Sequence, residues 1–261
     1  MPVTTPTAAA LQSVRPGAVF LGLCATFAAG VYLLVSSGAE NDGTAKFGAV
    51  LLVLSGWVIS LSLHEFAHAF TAFRYGDRSA QVRGYLTLNP LKYTHPALSI
   101  GLPLLIIALG GIGFPGGAVY LNESGFTKAQ RTKVSLAGPC ANLVLGLLLC
   151  VVLASTPETL GTANLRSAVA ALTFLQFTAL ILNLIPMPGF DGYGAIEPYL
   201  SWETRRSAAT IAPFGFLIVF VLLAVPMLNS AFFDMVYRVM ELLGVDAGYV
   251  AYGMHLFTFW R

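Results

Sequence analysis

Charge is scarce in this chain. Of 261 residues, 14 are lysine or arginine and 12 are aspartate or glutamate, leaving a formal charge of +2. Without a basic run or a strongly positive balance, the electrostatic footprint of a nucleic-acid-binding protein is missing. Cysteine is rarer still. Cys24, Cys140 and Cys150 all fall in apolar runs without metal-like spacing, so they read as small buried hydrophobes and not as a disulfide or thiolate framework. Residues 1–14 hold no charged side chain, so the basic start of a signal peptide is absent, and 1–15 reads as a short disordered leader. No internal repeat or low-complexity segment stands out.

What fills the space is apolar. The chain is 56% hydrophobic and 10% charged, well away from a soluble domain. Its 26 glycines and 14 prolines suit membrane helices better than soluble ones. Residues 16–39 are uncharged and long enough for one tilted transmembrane helix. A loop with Glu40, Asp42 and Lys46 leads to a second span, 47–73, followed by Arg74, Arg78, Arg83 and Lys92, a cluster that marks the cytoplasmic side. Residues 79–95 partly alternate and are rich in β-formers, which predicts a short strand or hairpin, and 118–121 reads as another strand. Residues 96–113 are apolar but broken by Pro103 and end in glycines. Lys128, Arg131 and Lys133 precede a helix running to about 154, and further spans are expected at 167–185 and 207–228. Residues 231–243 place Phe232, Phe233, Val236, Met240 and Leu243 opposite Asp234, Arg238 and Glu241, as an interfacial helix does.

The chemistry sits at residues 64–68, His-Glu-Phe-Ala-His. Histidines four apart share one helix face, so both imidazoles reach a single ion. Zinc hydrolases use three protein ligands and keep a fourth position open, and the neighbouring glutamate, Glu65, is placed to take a water proton. The motif follows seventeen uncharged residues, 47–63, and ionisable groups at membrane depth are functional candidates by default. At 1.5 Å rise per residue, His68 and His64 lie about 9 and 15 Å inside Arg74.

The best third ligand is Asp191, which directly follows a span in a Pro/Gly-rich turn, Pro186 to Gly192, that breaks the helix and frees the backbone. Glu197 and Glu203 are alternatives deeper in the polar loop, and Glu123 lacks a comparable turn. Topology adds a constraint. If 96–113 crossed fully, the later helices would deliver Asp191 to the face opposite the histidines. If it enters and returns, both basic groups share one side and Asp191 emerges at the depth of His68. Irregular backbone at that depth must be buried in protein or line a cavity. The expected fold is therefore an all-α polytopic membrane protein. It has five to six transmembrane helices, a re-entrant apolar segment, short β elements near the cytoplasmic side, and a cytoplasmic N-terminus. The membrane domain is expected over 16–230, with a catalytic core of about 47–200, and 231–261 forms an interfacial helix and tail.

The motifs HEFAH (64–68), LNPLKYTHP (88–96), AGPCAN (137–142) and LNLIPMPGFDG (182–192), in that order, resemble the site-2 proteases, a family of intramembrane zinc metalloproteases. The resemblance covers about 47–200. It implies one zinc per chain held by His64, His68 and Asp191, with Glu65 as general base, and substrates that are membrane-spanning segments of other proteins. No room is left for a PDZ insert or a nucleotide-sensing module. Asn142 and Asn183, amides in apolar helices, read equally as interhelical hydrogen-bond partners or substrate contacts, and the family's GPxxN and LNxxP motifs favour substrate. A substrate must unwind to be cut, and a strand edge at 118–121 or 81–88 would hold it by β-addition. His95 reads as a satisfied interfacial histidine and His255 as incidental. Two other readings compete with an intramembrane protease in the cell membrane. One is a membrane zinc peptidase with a glutamate third ligand, the other a non-enzymatic transporter or scaffold.

Overall fold

A computed structural model describes residues 14–93 and 120–258, and all regular structure among them is helical. The helices are α1 (Ala18–Ser37), α2 (Gly43–Arg74), α3 (Ser79–Val82), α4 (Pro90–Tyr93), α5 (Lys128–Ser155), α6 (Ala163–Asn183), α7 (Asp191–Ile196), α8 (Trp202–Ile211), α9 (Gly215–Leu223), α10 (Pro226–Leu242) and α11 (Ala247–Phe257). Four of them, α1, α2, α5 and α6, are long and apolar enough to cross a membrane. A fifth crossing exists if α8 and α9, bent by 68°, count as one.

The long helices start where the sequence supplies donors' partners. Asp42 accepts from Ala45 N–H at 2.8 Å to open α2, and Thr127 with Gln130 forms a capping box at α5. Helix α6 is the axis of the bundle. Residues 167–178 are buried on every side, the mark of a helix enclosed by others. Helix α5 instead turns Leu143, Val144, Leu147, Leu148, Val151 and Val152 outward, as a lipid-facing surface requires. The C-terminal helix α11 is seated directly on α6. A Cβ at Gly253 would come within 1.9 Å of Ser167 O, so only glycine allows this approach. The α6 start is tied down by Arg166, which donates to Leu153 O and Thr156 O at the end of α5, pairs with Glu158 at 2.6 Å and stacks over Tyr249 of α11. Those carbonyls are the ones a helix end leaves without intrahelical donors.

Three expectations need correction or restriction. Residues 79–93 form no strand: they fold into α3, a 3-10 turn at Tyr85–Thr87, and α4. Positive φ at Gly84 (73°) and Leu88 (55°) breaks any extended run. Asp77 accepting from Ser79 N–H starts α3, while Asn89 accepting from Leu91 N–H, with Pro90 at the first position, starts α4. The supposed substrate edge at 81–88 is also in use, because Leu86 O and Thr87 O accept from Arg15 N–H and Gly17 N–H. The span at 207–228 is broken at Pro213 and again at Pro226, which opens α10. Of 118–121, Tyr120 and Leu121 carry no strand, while 118–119, the 96–113 segment and His95 lie outside the described residues. On α10, Phe232, Val236 and Met240 are buried while Asp234, Arg238 and Glu241 are exposed, as the amphipathic reading expects, but Leu243, just past the helix, is exposed as well.

Candidate metal centre

Helix α2 carries His64 and His68 one turn apart with ring centroids 4.7 Å from each other, and both are buried with Glu65 between them. His68 is oriented from α5: its Nδ1 stands 2.7 Å from Val134 O. A main-chain carbonyl can only accept, so Nδ1 carries a proton, and in the neutral ring Nε2 is then the nitrogen that offers a metal its lone pair. His68 Nε2 stands 3.1 Å from His64 Nε2.

Asp191 arrives from the other half of the fold. After α6 ends at Asn183, the chain turns through Pro186 and Pro188, passes Gly189 at φ 102°, and begins α7 with Asp191 as its first residue. Gly192 permits this turn, since a Cβ there would lie 2.3 Å from Leu184 O. Thr132 of α5 donates to Ala195 O at 2.8 Å and holds α7 against the site. The carboxylate reaches His64 Nε2 at 3.2 Å and His68 Nε2 at 3.3 Å.

Whether these groups fit a metal follows from the donors themselves. Two imidazole nitrogens and a carboxylate converge with edges of 3.1, 3.2 and 3.3 Å. A tetrahedral ion with ligand bonds of about 2.0–2.1 Å separates its ligands by about 3.3–3.4 Å. Asp191 Oδ2 is buried and receives no hydrogen bond, although His64 Nε2 is close by. A buried carboxylate oxygen without a donor, beside two imidazole nitrogens brought to within 3.1 Å of each other, calls for a cation. The set fits zinc. Among the described residues this is the one metal-capable group of histidine, cysteine and carboxylate, and neither Glu197 nor Glu203 joins it.

Of the remaining sequence candidates, Asn142 lies on α5, buried, with Oδ1 lacking a partner, and Asn183 is half-buried at the last residue of α6. Two contributors escaped sequence reading. Tyr93 is buried beside the site and donates to Tyr85 O at 2.7 Å; burial, and then the charge of Glu65, push its phenol up. Val134 acts through its carbonyl, which no side-chain pattern reveals.

The Peptidase family M50 model matches residues 51–163, which include the histidine motif. Among named proteins, the chain is 53% identical to "Putative zinc metalloprotease Rip2" of Mycolicibacterium smegmatis over 249 residues, 95% of this chain and 96% of the relative. It is 49% identical to the protein of the same name from Mycobacterium tuberculosis over 251 residues, again 95% and 96% of the two chains. It is 32% identical to "Putative zinc metalloprotease YwhC" of Bacillus subtilis over 178 residues, 65% of this chain and 78% of that one. No solved structure matches. Near-complete alignment with the two Rip2 relatives, together with a metal-binding group assembled from α2 and α7, means that the chain belongs to peptidase family M50, the site-2 proteases, and is an intramembrane zinc metalloprotease.

Proposed function

We propose that the chain hydrolyses peptide bonds within or near transmembrane segments of other membrane proteins, with zinc held by His64, His68 and Asp191 and with Glu65 as general base. The observation that carries this reading is the approach of Asp191, from α7, to both imidazole nitrogens of α2 within 3.3 Å. When bound, zinc polarises the scissile carbonyl and acidifies water. The chain's own residues do the rest. Glu65 accepts the proton of the attacking water at its carboxylate and delivers it to the departing amide nitrogen. Val134 O keeps His68 in the tautomer that leaves Nε2 free. Asn142, with its buried oxygen uncommitted, accepts a main-chain N–H of the unwound substrate, and Asn183 is a second contact for that segment. Replacing Asn142 by alanine is expected to raise KM about tenfold with zinc content unchanged; unchanged KM removes Asn142 from the substrate site.

The catalytic core spans about 47–200 and lies in the cell membrane, nearer its cytoplasmic face. Arg74, Arg78, Arg83 and Lys92 after α2, with Lys128, Arg131 and Lys133 at the start of α5, support that orientation. The test is a comparison of membrane-protein termini in cells carrying the wild type or Glu65→Gln. Wild type is expected to generate new termini inside or at the edges of transmembrane segments. New termini confined to soluble domains contradict the proposal.

A further inference from the structure

Helix α5 closes one side of the metal centre with a single stripe. Val134, Gly138 and Asn142 follow at four-residue intervals and therefore share a face. Val134 O orients His68, and one turn on, Gly138 faces both imidazoles. A Cβ placed on Gly138 would stand 2.2 Å from His68 Nε2, 2.5 Å from His64 Nε2 and 2.6 Å from His64 Cε1. Non-bonded carbon contacts are about 3.5–4.0 Å, whereas zinc–imidazole bonds are about 2.0–2.1 Å. A methyl carbon at 138 would therefore occupy the space on which both lone pairs converge. The atoms it meets are the tips of two side chains, not backbone. A metal-free chain relieves the conflict by turning the rings aside, but a metal-loaded chain cannot, because the ion fixes both rings.

We infer that Gly138 is a positioning residue of the metal centre: the missing side chain leaves the ion its room against α5, and any side chain there excludes zinc without unfolding the protein. Gly146, two turns further along α5, has a different reason to be small. The atoms nearest to a Cβ there are those at the edge of the Phe177 ring, at 3.0–3.4 Å. It serves as the control for replacing a glycine in this helix.

The inference rests on zinc binding by His64, His68 and Asp191, and the wild-type arm tests that separately. The full chain, reconstituted in lipid nanodiscs and equilibrated with buffered zinc, is assayed for bound zinc by mass spectrometry. At a free-zinc level that fills the wild type, Gly138→Ala is expected to hold at least about tenfold less, and Gly146→Ala to hold as much as wild type. If wild type takes up no zinc, the metal reading itself fails. If wild type and Gly138→Ala fill alike, or Gly146→Ala loses zinc as fully, the inference is overturned with that reading intact. Folding is followed in a background without the site. Adding Gly138→Ala to His64→Ala is expected to move the melting temperature by no more than ~2 °C. A larger fall would place the conflict in the fold, not at the ion, and would also overturn the inference.

Discussion

Glu65→Gln is expected to lower kcat by about 10²–10⁴-fold while leaving bound zinc at the wild-type level. Glutamine keeps the size and most of the hydrogen-bonding capacity of the buried glutamate but cannot take a proton. The metal group consists of His64, His68 and Asp191, so the substitution leaves every ligand in place. Cleavage of a transmembrane substrate in proteoliposomes, read with zinc content on the same preparation, separates the two properties. Turnover that survives the substitution would remove Glu65 from the chemistry. Zinc loss on its substitution would assign it a structural place in the metal centre.

The second large effect is expected at Asp191. Removing a group that merely orients a metal ligand costs about 10–100-fold in metal affinity, so loss of a ligand itself should exceed about 100-fold. Asp191 is also the one anionic member of the group, and without it two neutral imidazoles face the ion alone. Asp191→Ala is therefore expected to purify without zinc and without activity. The chain should stay folded, because α7 is still held by the Thr132 contact to Ala195 and by the close seat of Gly192 under Leu184. Glu197→Ala is the matched control and is expected to keep its zinc, since Glu197 begins the turn after α7 outside the metal group. Zinc retained by Asp191→Ala and lost by Glu197→Ala would revive a glutamate-ligand peptidase.

Much of the centre was legible because its cues are local. His64 and His68 are readable from helix periodicity alone, and Asp191 from the prolines and glycines that force a turn directly after an apolar helix. What failed was also local, where two signals competed. Tyr85, Leu86, Thr87 and their neighbours alternate like a strand. Yet left-handed backbone at Gly84 and Leu88, together with helix starts at Asp77 and Asn89–Pro90, overrides that preference. The last apolar run reads as one span by composition, and two prolines divide it. Residues 247–257 read as a tail because nothing in their own pattern names a partner. The partner is α6, and the cue, Gly253, has meaning only once the two helices are seen together. Gly138 was hidden for the same reason: a glycine in a membrane helix has many uses, and this one is defined by two histidines some seventy residues away.

Zinc K-edge X-ray absorption on the purified protein reads the metal's surroundings without reference to any substrate. A four-coordinate ion at about 2.0–2.1 Å is expected, with two imidazole scattering patterns, light oxygen neighbours and no sulfur near 2.3 Å. In Asp191→Ala any residual zinc should lose that environment. A wild-type spectrum with one imidazole or none, or with cysteine sulfur, would contradict the joining of α2 and α7 around one ion.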